Sequence, residues 1–251
     1  MAKLRDNPSY QDIFRASGTV IKSLRGSVFD EAVDEETRRL GEYLVSRTGI
    51  FLSALNQLGG VVEDMEVAHA MLRRYPWHGA RISKTKHLEL HWFLFQNLCY
   101  TFKEKLKLCF NEQKDAALFL GINQPTWLKL ELKVVDVKLG EAIADRGNTV
   151  HSWNVMDGSI RRFSMIELRQ ELREMGEKVD LPEGFSDLRD HYFDTKSWLK
   201  WKSKRMEAEA RKLFLRIVEC HDPRPHALLE KVNSVIEGIN AGTITLSQKK
   251  A

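Results

Sequence analysis

Arg146 and His151 stand five residues apart in A-D-R-G-N-T-V-H-S-W-N, residues 144–154. A guanidinium grips phosphate oxygens through a planar fork of N–H donors, and an imidazole gains or loses its charge near neutral pH and so can move protons. An RNA strand carries its own nucleophile in the 2′-OH. Those two side chains in one pocket could therefore cleave RNA by transesterification with no metal or other cofactor, the cation stabilising the charge that builds on phosphorus. The spacing alone is weak, since Arg73 with His78 and Arg216 with His221 repeat it. The first of those pairs encloses Pro76 and the second encloses apolar Ile217 and Val218, so context selects 146 and 151.

The element that must position the pair is a helix expected over 125–146, striped by Leu128, Leu132, Val135, Leu139 and Ile143. Arg146 continues that stripe, where an unpaired guanidinium is costly to bury and must reach water, a carboxylate or an anionic ligand. Gly147 and Asn148 are poor helix formers, so the helix is expected to loosen there and present His151. In an unbroken helix five residues mean about 140° of rotation and roughly 7.5 Å of rise, and the two side chains would diverge. Convergence then needs a distortion at Gly147, the reach of the arginine, or a second subunit.

Further amphipathic helices are expected over 29–58, with a break near Gly49, and over 61–74, 83–113, 164–175, 186–221 and 225–239, punctuated by prolines at 76, 125, 182, 223 and 225. The clearest stripe is Leu88, His91, Trp92, Phe95, Leu98, Cys99, Phe102, Leu106 and Cys109, which Leu90, Phe93 and Leu94 widen; this helix is expected at the centre of a bundle. Period-two alternation is scarce. K-L-E-L-K-V at 129–134 fits the helical stripe better, and Ser164 with Glu167 reads as a capping box opening 164–175. The fold class is all-α, one multi-helix bundle spanning 1–251.

Other chemistry-bearing residues read more plainly. His87 and His91 flank Glu89 at a spacing that could hold zinc with His69 or His78, but a hydrogen-bonded core is the better reading, and no metal is expected. Glu89 is instead a candidate to pair with Arg146 and aim it. Cys99, Cys109 and Cys220 form no C-x-x-C, so reduced thiols are expected. Neither phosphate-binding glycine motif occurs. In S-W-L-K-W-K-S-K-R, Trp198 follows the packing stripe of Leu188, Tyr192, Thr195 and Leu199, whereas Trp201 reads as an exposed ring among cations. Lys196, Lys200, Trp201, Lys204 and Arg205 are the candidate RNA-binding residues.

At 251 residues and 43% hydrophobic content the chain can bury a substantial core. Its net charge of +4 hides a local one: residues 196–216 hold eight Lys/Arg against Glu207 and Glu209, a +6 segment able to attract phosphate. The start, M-A-K-L-R-D-N-P-S-Y, lacks the apolar stretch of a signal peptide, and no run approaches the roughly 20 apolar residues of a membrane span. A cytoplasmic protein is expected.

R-G-N-T-V-H, preceded by the long apolar helix H-L-E-L-H-W-F-L-F-Q-N-L, resembles the HEPN superfamily, in particular its abortive-infection and toxin-like members. Members often carry Asn, Asp or His after the arginine; here Gly147 stands there, with Asn148 one place on. The resemblance covers about residues 28–176 and leaves a basic helical extension, about 186–240, outside it. It implies a metal-independent endoribonuclease of toxin or antiviral type that dimerises so that two motifs face one cleft. Arg146 then binds the scissile phosphate, His151 acts as acid and base, and Asn148 helps position the phosphate. RNA, a second copy of the chain and a cognate inhibitor protein are the implied partners. The alternative is a non-catalytic module of the same fold that binds RNA, a nucleotide or a protein.

Overall fold

In a computed structural model the described residues are 7, 8, 10–15, 18, 22, 35–73, 82–119, 126–151, 157–181 and 187–219; the expected helix at 225–239 lies outside them. Among these residues the chain is all-α, with no strand. The helices are α1 (Glu35–Arg73), α2 (Lys84–Phe119), α3 (Thr126–Lys138), α4 (Gly140–His151), α5 (Gly158–Glu174) and α6 (Leu188–Glu219). No helix among the described residues is long and apolar enough to cross a membrane.

Two compact units divide the chain, one of residues 1–59, 104–132 and 214–251, the other of 60–103 and 133–213. In the first, Tyr10 is buried and its hydroxyl donates to Asn56 Oδ1 at 2.9 Å, while Arg47 Nη1 meets Glu112 at 3.0 Å. Here α1 runs unbroken past Gly49 and on through Gly59. A Cβ on Gly59 would stand 3.1 Å from Phe214 Cζ, so the missing side chain lets that ring lie against the helix.

The second unit holds the candidate site. Its core draws on Val62 and Met65 of α1, Leu88, Trp92, Phe95 and Phe102 of α2, Phe163 of α5, and Leu199, Ala210 and Leu213 of α6. These are the i, i+3, i+4 faces that burial drives together. Leu90, Phe93 and Leu94, expected to widen the buried stripe of α2, are instead 48%, 40% and 40% exposed. They turn to the opposite face of the helix, where no described element covers them.

Helix α5 begins at Gly158, before the expected start at 164. Asp157 is its N-cap, its Oδ1 accepting from Ser159 N at 2.9 Å. Ser164 is therefore mid-helix. Glu167 caps a different helix: its two oxygens accept from the backbone N–H groups of Lys84 and Thr85 at 3.2 and 3.1 Å. With Ser83 Oγ taking Lys86 N–H at 3.1 Å, the orphan donors at the start of α2 are satisfied, and the carboxylate meets the positive end of the helix dipole.

One buried cation gathers several elements of this unit. Lys202 Nζ lies 2.7 Å from Glu141 and 3.0 Å from Asp157, and 4.7 Å from the centre of the Trp92 ring. Burial opposes the lysine's charge, but the bonds to Glu141 and Asp157 outweigh it and hold its pKa above the ordinary value. Burial likewise opposes the Asp157 carboxylate, yet Ser159 and Lys202 bring its pKa below the usual range. Asp145 goes the other way, raised chiefly by burial, with Glu141 and Asp157 adding to it against the pull of Lys202.

Candidate functional site

Helix α3 gives way to α4 at Leu139, but the backbone ladder carries across: Leu139 N–H donates to Val135 O at 2.8 Å and Ile143 N–H to Leu139 O at 3.1 Å. Val135, Leu139 and Ala142 are buried, so the stripe read from sequence faces the core of the second unit. The helix does not loosen at Gly147. It continues to His151, five residues beyond the expected end, since the turn's i→i−4 hydrogen bonds outweigh the roughly 1 kcal/mol cost of one glycine.

Arg146 is seated by α2. Its Nε donates to Asn97 Oδ1 at 2.9 Å, and its guanidinium carbon lies 3.9 Å from the centre of the Tyr100 ring. That distance is close enough for a cation–π contact. The side chain is half-buried, and among the described residues no carboxylate pairs with it. Glu89 was expected to aim Arg146 and does not; it meets Lys86 Nζ at 3.3 Å. Glu89 lies eight residues, more than two turns, before Asn97 on α2, so it is out of reach. The side chains of Asn148 and His151 lie outside the described residues.

The histidines weighed as metal ligands make other contacts. His69 Nδ1 and Ser203 Oγ share a hydrogen bond at 3.0 Å, as do His87 Nδ1 and Tyr192 Oη. His87 and His91 meet edge to face at 4.6 Å. Among the described residues no group of three His, Cys, Asp or Glu could hold a metal ion; His78 lies outside them. Burial, then the charge of Lys196, lowers the His91 pKa. Cys99 and Cys109 are buried free thiols, both raised by burial, Cys109 to about 12.

The basic segment on α6 differs from its sequence profile. Lys196, a candidate RNA contact, is buried, its ammonium 5.5 Å from the Tyr192 ring centre, because it shares the inward face with Tyr192, Leu199 and Ser203. Lys202 is buried among carboxylates. Arg211 pairs with Glu66 and Glu207, Lys212 with Glu209, and Arg216 with Glu131. Among the described residues Lys200, Lys204 and Arg205 have no ion pair. Lys204 and Arg205 share the outward face of the helix with two exposed rings, and Lys200 stands at its edge. Trp198, expected in the core, is 47% exposed and stacks on Trp201, itself 52% exposed, with ring centres 5.1 Å apart and planes 24° apart. Arg205 lies 5.6 Å from the Trp201 ring centre.

Sequence reasoning missed Asn97 and Tyr100, which seat Arg146, and Trp198. The signal for the first two was their place off the apolar stripe of a long helix; nothing local tied them to Arg146. No family model, no curated protein and no solved structure matches this chain.

Proposed function

We propose that this protein acts on RNA as a HEPN-like, metal-independent endoribonuclease, in a toxin or antiviral setting. The carrying observation is the seat of Arg146, a half-buried cation oriented by a neutral amide and an aromatic face. Its two Nη groups have no carboxylate among the described residues. A guanidinium held this way keeps its charge for an anion, and a phosphodiester presents the matching pair of oxygens.

In this reading Arg146 binds the scissile phosphate, Asn148 helps hold it, and His151 takes the proton from the 2′-OH. The 2′-oxygen attacks phosphorus, the bond to the 5′-oxygen breaks, and a histidine returns a proton to that oxygen. The products are a 2′,3′-cyclic phosphate and a 5′-hydroxyl. Since α4 stays helical through Gly147, positions 146 and 151 of one chain stand about 140° apart around the helix axis, so we assign the complete site to a homodimer. Leu90, Phe93 and Leu94 support that assembly: they form an exposed apolar row at i, i+3 and i+4, with Asn97, the partner of Arg146, at i+7.

The test is incubation of purified protein with mixed RNAs in EDTA, with fragment ends read for 2′,3′-cyclic phosphate. Loss of those ends in His151→Ala and Arg146→Ala is expected. Equal cleavage by wild type and both variants, or none by any, removes the enzymatic reading. The same unbroken α4 favours a second reading, an RNA-binding module without cleavage. Binding that weakens with salt while no fragments form would establish it.

A further inference from the structure

We infer that the outward face of α6 around Trp198 and Trp201 is a stacking platform for an unpaired nucleic-acid strand. The platform deepens the RNA reading by naming the form of the substrate, but it stands on its own observations. Two large rings, each about half exposed, stack on one another instead of entering the core. Lys204 and Arg205 share their outward face and Lys200 stands at its edge, three cations without ion pairs among the described residues. Lys196, Lys202, Arg211, Lys212 and Arg216 of the same helix are already matched to carboxylates or buried. Positive charge free to meet phosphate is therefore concentrated where the rings are.

The side of the stacked ring pair left open to solvent can take a base face, and Lys200, Lys204 and Arg205 can neutralise the phosphates between successive bases. A duplex hides its base faces in its own stack, so the rings select single strands. A protein–protein interface is the poorer fit, because lysine is depleted from the centre of such interfaces, and here exposed Lys204 shares the face with the rings.

Two fluorescein-labelled probes test this, a dT 12-mer, which has no 2′-OH and cannot be cleaved, and an rU 12-mer mixed with the His151→Ala protein. The same dT strand annealed to dA 12-mer is the duplex control. Anisotropy is expected to show binding of both single strands and at least tenfold weaker binding of the duplex. Trp201→Ala and Trp198→Ala should each weaken single-strand binding about tenfold, and Trp201→Phe should restore most of it. Three phosphate contacts give log K against log salt a slope of about −2, and Lys204→Ala lowers it by about 0.7.

Single-strand binding unchanged in both Trp→Ala variants, or duplex bound as well as single strand, overturns the platform. So does failure of both single strands to bind, and a Trp-dependent shift in sedimentation would then mark the face as a protein interface. Tight rU binding without dT binding locates recognition in the 2′-OH instead of the rings and also overturns it. No cleavage by the wild type, or equal cleavage by His151→Ala, with Trp-dependent dT binding intact would fail the catalytic reading and leave this one standing.

Discussion

The neutrality of Asn97 decides what Arg146 can do, since a carboxylate in its place would occupy the fork that a phosphate needs. Asn97→Asp is therefore expected to steady the fold by about 0.5–1 kcal/mol through the added ion pair and to weaken RNA binding and cleavage together, read by urea denaturation and the fragment assay. A change that leaves RNA activity intact would argue against Arg146 as the phosphate group. A second residue-scale consequence concerns His91, buried beside Lys196 and His87. Its pKa is lower in the folded chain than unfolded, so the unfolded state binds the proton first. The stability it contributes is present above the ordinary histidine value of about 6.5 and is lost as pH falls below it. Urea midpoints measured from pH 7.5 to 5.5 should fall, and His91→Gln should flatten the decline. That Arg146 sat on a buried stripe was legible in the sequence. What holds it was not, because Asn97 lies 49 residues away and side-chain partners across elements leave no local pattern.

Helix α4 makes Gly147 a plain interior helix position: a Cβ there would meet nothing within 4 Å. Gly147→Ala should raise stability by up to about 1 kcal/mol and leave cleavage unchanged if the site is assembled from two chains; a fall in cleavage would show that the glycine must flex. Glu167→Ala should cost about 1–2 kcal/mol, since two N–H groups at the start of α2 lose their acceptor, measured as a lower urea midpoint. The periodicity of α2 was legible because burial imposes it: Leu88, Phe95, Cys99, Phe102, Leu106 and Cys109 are all buried. Its opposite face was misjudged, because hydrophobicity records what a residue prefers and not whether a neighbour is there to cover it. The Ser164 and Glu167 spacing failed for a related reason, the glutamate having been recruited by another helix.

Across the whole chain, the +6 of residues 196–216 is a poor guide to surface charge, since most of those cations have carboxylate partners or are buried. Summed charge cannot distinguish a free lysine from a matched one; the ion pairs reach back to Glu66, Glu131 and Glu141. The interleaving of distant stretches in both units left no trace in composition either. At this scale the apolar row on α2 predicts self-association: sedimentation should give a dimer for the wild type and a monomer for Leu94→Glu. A wild-type monomer would leave Arg146 and His151 without the second copy that the catalytic reading requires. The bond from Glu167 to the first turn of α2 spans more than 80 residues. As the polypeptide leaves the ribosome, α2 therefore emerges with bare amides at its leading end and waits for α5 to be synthesised. Its opening turn is finished late during translation, and a chain cut short before residue 167 lacks the acceptor for the Lys84 and Thr85 amides.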